Sequence, residues 1–354
     1  MRDPALHPSP DVRAALPVAP EHQAKDRRAE GMLVLACALW GASFTWENVT
    51  IAGMSAARGG GPSDLLWVPT FYVGWRFVLS ALLWASVFRR SLWGWTWRAV
   101  RRSAVLGTLL VAPIVVQKFS LTRTSESVCA FLTSLTIVFT PPMLWALIGK
   151  RPSRRIALGL LFGAGGVYLM TLAGKTEVKP SELAGVALGV ACALGFSLHI
   201  IALDRWGRDE DPIRLTLGQF ATAGVVALAA APLFGAGAED LAPRAQWAMF
   251  AHEGVALNLA LVIVVSTIGA YGLMFRYQPR VDPNHATIIY LAEPVFASLY
   301  AWVFASRGMT SWGTAGGALI LAANFVSRGR RSATPPDAPA RGDQAISEGP
   351  PAGG

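Results

Sequence analysis

Glu293, Glu47 and Arg76 stand inside long apolar runs, where an ionisable side chain costs at least ~2.5–3.5 kcal/mol on insertion scales and so demands a reason. Glu293 falls roughly ten residues from one end of its run, ~14 Å along a helix. Pro294 follows it, has no N–H and crowds the carbonyl of Tyr290 four residues back. A carboxyl, a freed carbonyl and the Tyr290 hydroxyl are therefore expected at one bend. That set suits a proton or substrate site that titrates during transport. It equally suits a protonated Glu held by a neighbouring helix to fix a kink.

Glu47 and Arg76 lie at similar depth, ~10 Å from the same side, and an ion pair between them is expected to lock two helices or to meet an anionic solute. Ser43, Glu47 and Thr50 share one helical face and suit a polar lining. Gln219 is placed to contact substrate or to hydrogen-bond across helices. Trp40 and Trp75 lie deep enough to wall a cavity or simply to pack, whereas Trp67, Trp93, Trp95, Trp97 and Trp312 fit an interfacial belt. His199 is expected near an interface with one nitrogen satisfied, although its unperturbed pKa near ~6.5 would let it pass protons. Thr133, Thr136 and Thr140 form a stripe whose hydroxyls are expected to bond their own backbone. The candidate substrate-binding set is thus Trp40, Ser43, Glu47, Arg76, Gln219, Tyr290 and Glu293, with Glu293 and Glu47 as proton-coupling carboxyls.

These residues need elements that cross a bilayer. Of 354 residues, 53% are apolar and only 15% charged, too little charge to coat two soluble domains. A crossing needs ~20 mainly apolar residues. The chain offers ten: 31–54, 69–88, 102–119, 126–147, 155–173, 183–203, 213–234, 255–275, 284–305 and 311–327. The tails, 1–30 and 328–354, are rich in Pro, Gly, Ala or charge and read as disordered. Basic clusters at 25–28, 89–102, 150–155, 205–214, 276–280 and 328–331 fall on one side of this map. The other side holds only Arg58, Lys118, Arg123, Lys175, Lys179, Arg244 and Arg307. That asymmetry predicts both termini in the cytoplasm of a cell with a plasma or bacterial inner membrane.

The same distribution argues against nucleic acid as the partner of the +9 net charge, since the basic residues are spread through loops rather than gathered on a domain. Cys37, Cys129 and Cys192 lie apart in apolar runs and read as packing residues. Five scattered histidines give no metal-ligand spacing, and no phosphate-binding loop occurs. An enzyme and a cofactor are therefore not expected, although an intramembrane enzyme or a non-transporting subunit remains the alternative of another class.

The chain also echoes itself. Ala36-Cys37-Ala38-Leu39 recurs as Ala191-Cys192-Ala193-Leu194, and Arg76-Phe77 is echoed by Gln219-Phe220. Phe139, Trp145 and Gly159 pair with Phe296, Trp302 and Gly316 at one constant offset. The two units are 31–173 and 183–327. Five crossings per unit invert the second against the first, a plan in which two halves enclose a central site and access alternates around it.

Trp40-Gly41-Ala42-Ser43-Phe44, Trp75-Arg76-Phe77, the glycines of 159–166 and Tyr290-Leu291-Ala292-Glu293-Pro294-Val295-Phe296 resemble the drug/metabolite transporter superfamily, and the EamA-type carriers within it. The resemblance runs over about residues 31–327. It implies an all-α polytopic membrane protein of ten helices in two inverted five-helix repeats. It further implies a secondary transporter that exports small organic metabolites or drugs, and the buried carboxyls, able to bind proton and substrate in competition, make proton exchange the expected drive. A facilitative or exchange carrier, for instance of a nucleotide sugar, is the alternative. Its partners would be a small-molecule substrate, a proton gradient and the lipid bilayer; a homodimer is compatible with such a bundle. The chain departs from the family pattern at Gly149-Lys150 and Ser306-Arg307, where Gly-Glu is usual, and at Thr136-Ile137, where Ser-Pro is frequent. The substrate stays open.

Overall fold

The computed structural model describes residues 26–61, 64–121, 123, 129, 132–149, 151–171, 173, 183–305 and 311–327. The expected tails fall largely or wholly outside these, as do Lys150, Lys175, Lys179, Ser306 and Arg307. All regular elements among the described residues are helical.

Helix α1 (Arg27–Ala56) starts where Asp26 accepts from the Ala29 amide at 3.0 Å, satisfying a donor the helix leaves free. It is followed by α2 (Asp64–Val87), α3 (Trp97–Leu121), α4 (Thr136–Ile148) and α5 (Arg154–Thr171). The second half opens with α6 (Leu183–Trp206) and α7 (Pro212–Ala230). Asp211 caps α7 and Pro212 occupies its first turn, where a missing N–H costs nothing.

Two short helices, α8 (Ala238–Leu241) and α9 (Pro243–Ala251), then lead into one continuous run. It comprises α10 (Val255–Leu261), a π-helical segment (Val262–Tyr271) and α11 (Gly272–Tyr277), ending in a 3-10 turn (Gln278–Arg280). The chain closes with α12 (Pro283–Tyr290), α13 (Ala292–Ala305) and α14 (Ser311–Ser327).

Six helical runs are long and apolar enough to cross a membrane by length and composition: Arg27–Ala56, Leu66–Val87, Trp97–Ser120, Leu183–Trp206, Pro212–Phe234 and Val255–Arg280. Leu132–Ile148 is a shorter apolar helix. The described helices therefore do not reach the ten full-length crossings expected from the sequence. The reasons are local. The expected crossing 284–305 breaks at Leu291 into α12 and α13, α5 begins on Arg154 and Arg155, and α14 has 17 residues.

Packing is tight between specific pairs. α1 packs on α10, the π segment and α13, while α6 packs on α3 and α4. α7 lies between α2 and α3, α2 also touches the π segment, α5 runs along α14, and α4 meets α12. Small residues set these distances. A methyl group at Gly41 would lie 2.8 Å from the Ala297 amide nitrogen, and one at Gly166 would lie 2.7 Å from the Gly316 carbonyl. Large apolar side chains such as Leu82, Leu161, Val225 and Phe325 point outward and are exposed, as a surface facing acyl chains requires.

Candidate functional site

α1, α2, α3 and the π segment bring one ionic cluster together inside the bundle. Arg76 Nη1 donates to Glu47 Oε1 at 2.9 Å, and Lys118 Nζ donates to Glu47 Oε2 at 3.1 Å. Ser43 Oγ, one turn before Glu47, lies 3.3 Å from Oε1 and 2.9 Å from the Trp40 carbonyl. Thr50, on the same face, instead donates to the Trp46 carbonyl. The remaining guanidinium nitrogens reach across to the second half: Arg76 Nε donates to Thr267 Oγ1 at 2.7 Å and Nη2 to Ser266 Oγ at 2.9 Å. The guanidinium also faces the rings of Phe77 and Tyr271 at 5.6 and 5.9 Å.

The π segment explains how neighbouring residues serve one cation. In an α-helix consecutive side chains point well apart, whereas the wider i→i+5 turn shifts local register. Thr267 Oγ1 also sits 3.2 Å from the Val262 carbonyl, five residues back.

Glu293 lies in the first turn of α13, where the helix dipole favours a carboxylate. Among the described residues nothing hydrogen-bonds or ion-pairs with its side chain; Glu47, Lys118 and Arg76 stand within Coulomb reach of it. The expected cluster of this carboxyl with the Tyr290 hydroxyl does not form. Tyr290 donates to Gln278 Oε1 at 3.2 Å, and its ring meets Trp40 edge-on at 5.8 Å. With the helix broken at Leu291, the Tyr290 hydroxyl is directed to Gln278 instead of to Glu293.

Trp40 packs against Tyr271 at 4.9 Å and Trp75 against Phe250 at 5.6 Å; both indole N–H groups are buried without a partner. His199 is fully buried within the bundle, with Nε2 3.0 Å from Gln219 Oε1 and Nδ1 without a partner among the described residues. Gln219 thus bonds between α6 and α7. Thr133, Thr136 and Thr140 bond the carbonyls of Cys129, Thr133 and Thr136 at 2.9, 2.7 and 2.7 Å. The three cysteines are buried and free. No group of three or more His, Cys, Asp or Glu poised for a metal occurs among the described residues.

Sequence reasoning missed Lys118, Ser266 and Thr267. Lys118 carried a signal, a cation near the end of an apolar run on the side otherwise poor in basic residues. Ser266 and Thr267 carried none, because their convergence depends on the π register.

The helical architecture with its apolar crossings and outward-facing apolar side chains is that of an integral multi-pass membrane protein. Residues 183–328 match the EamA-like transporter family. This match, over the second half of the chain, supports an EamA-type assignment within the drug/metabolite class of membrane transporters. A protein of known crystal structure superposes with a TM-score of 0.63 at 17% identity, covering 85% of this chain and 96% of that one. It shares the fold. No curated protein matches the chain.

Proposed function

We propose that the protein is a secondary carrier of small organic solutes that works by alternating access between two inverted halves and couples transport to protons through Glu293. The observation that carries this reading is a carboxyl at a helix break with no partner among the described residues, set beside a buried ion cluster that joins the halves. A carboxyl without a partner in a low-dielectric interior is free to exchange a proton as its surroundings change.

The two-half plan has its own support. If each of the first five helical units is exchanged for its counterpart in the second half, the packed pairs map onto themselves. α1 on the π segment becomes α6 on α3, α1 on α13 becomes α6 on α4, and α2 on the π segment becomes α7 on α3. Pairs α2–α7 and α5–α14 map onto themselves. In this reading α4, α5, α12–α13 and α14 complete ten crossings, with both termini cytoplasmic. The substrate lies near Trp40, Ser43, Glu47, Arg76, Tyr290 and Glu293, with Gln219 holding His199. Glu47 is held by two cations and serves the cluster's charge balance.

The test is solute counterflow in liposomes holding the purified protein, with amino acids, sugars, nucleotides and lipophilic cations offered in turn. Accelerated exchange of one class against itself supports a carrier. No exchange of any class by folded protein contradicts it.

A further inference from the structure

Arg76 and Lys118 share one carboxylate, yet they are not equivalent. All three guanidinium nitrogens of Arg76 are engaged, and its side chain keeps 4% exposure. Lys118 makes a single hydrogen bond among the described residues, to Glu47, and keeps 12% exposure. An ammonium has three donors, so two are left to point elsewhere. Arg76 is fixed between the halves, and among the described residues of this cluster Lys118 is the cation with donors to spare.

The charges do not balance within contact distance. Two cations face one carboxylate, and both Glu47 oxygens are occupied. An excess buried cation is costly unless something neutralises it. The titratable groups around the cluster are Glu47 and Cys37 on α1, Tyr72 on α2, Cys129 ahead of α4, Cys192 on α6, Tyr271 on the π segment, Tyr290 on α12 and Glu293 on α13. Among the described residues Glu293 is the remaining carboxyl of that set. As a carboxylate it balances the second cation at a distance; once protonated, it leaves Arg76 and Lys118 to share Glu47 alone.

We propose that Lys118 seats the anionic group of an organic anion, and that this anion binds together with a proton on Glu293. The chain of rings running from Arg76 through Tyr271 to Trp40 and Tyr290 supplies an aromatic wall beside the cluster. This rests on the carrier reading above for its consequence, since solute and proton would then travel together rather than compete. The seat itself is tested by binding alone.

The experiment uses the full chain in lipid nanodiscs with three probes of one ring and similar size: benzoate, benzamide and benzylammonium. Thermal stabilisation is measured at pH 6 and pH 8 against ligand-free protein at each pH. Benzoate is expected to stabilise, more strongly at pH 6, and the other two are not. Lys118→Gln is expected to weaken benzoate about tenfold or more, as loss of a buried charge contact does, and Lys118→Arg to retain most of it. Equal stabilisation by benzamide or benzylammonium, or none by benzoate, overturns the proposal on wild-type protein, whether or not the variants fold. Counterflow is read separately. Benzoate binding without exchange keeps the seat and removes the carrier, whereas exchange of benzylammonium without benzoate binding does the reverse.

Discussion

Arg76 on α2 donates through Nε to Thr267 in the π segment at 2.7 Å, so one guanidinium ties the first half of the chain to the second. Ser266 receives Nη2 of the same group. Thr267→Val removes an acceptor from a buried cation and is expected to cost about 1.5–3 kcal/mol. Thermal unfolding in detergent checks this. Ser266→Ala is expected to cost a similar amount, and the double variant more than either.

Glu47 and Arg76 should not be equally sensitive. Glu47→Gln leaves Arg76 and Lys118 buried side by side, a break of the kind that costs about 3–5 kcal/mol. Arg76→Gln leaves Lys118 still holding Glu47 and should cost less. Adding Lys118→Met to Glu47→Gln is expected to recover part of the loss. A double-mutant cycle reads the coupling; simple additivity would mean that the three groups do not act as one cluster.

Gly41 is where α1 and α13 approach. With the Ala297 amide and the Phe296 Cβ at 2.8 and 2.9 Å from the site of an added methyl, the obstruction is largely backbone. Gly41→Ala is expected to lower stability by about 1–3 kcal/mol through overpacking, and Gly41→Leu to prevent recovery of folded protein. Size-exclusion profiles and unfolding curves would show both effects.

Topology gives a fourth expectation. With Cys37, Cys129 and Cys192 buried, single cysteines at Gly59 and Trp247 should react with an impermeant reagent from one side of the membrane. Cysteines at Trp93 and Asp209 should react from the other. Labelling of Gly59→Cys and Trp93→Cys from the same side would break the arrangement of crossings at its second helix.

Much of this was legible in the sequence because the bilayer makes charge expensive. Glu47 and Arg76 were conspicuous in apolar runs, and their matched depths placed them together. Pro294 announced the break at Leu291, since a residue without an N–H cannot continue the ladder. What the break does to side-chain direction was not legible, so Tyr290 was expected beside Glu293 and instead reaches Gln278. His199 was placed by its distance from a helix end, but burial is decided by the neighbouring α7, which supplies Gln219. The π segment was invisible because periodicity does not report a change of backbone register.

The most direct test of the central claim measures protons. Liposomes holding wild-type protein or Glu293→Gln, with a pH-sensitive dye inside, receive the solute found by counterflow. The account requires that solute entry changes internal pH in wild type, and that in Glu293→Gln the change disappears while counterflow persists. Equal pH changes in both proteins would contradict it, because the proton would then travel without Glu293.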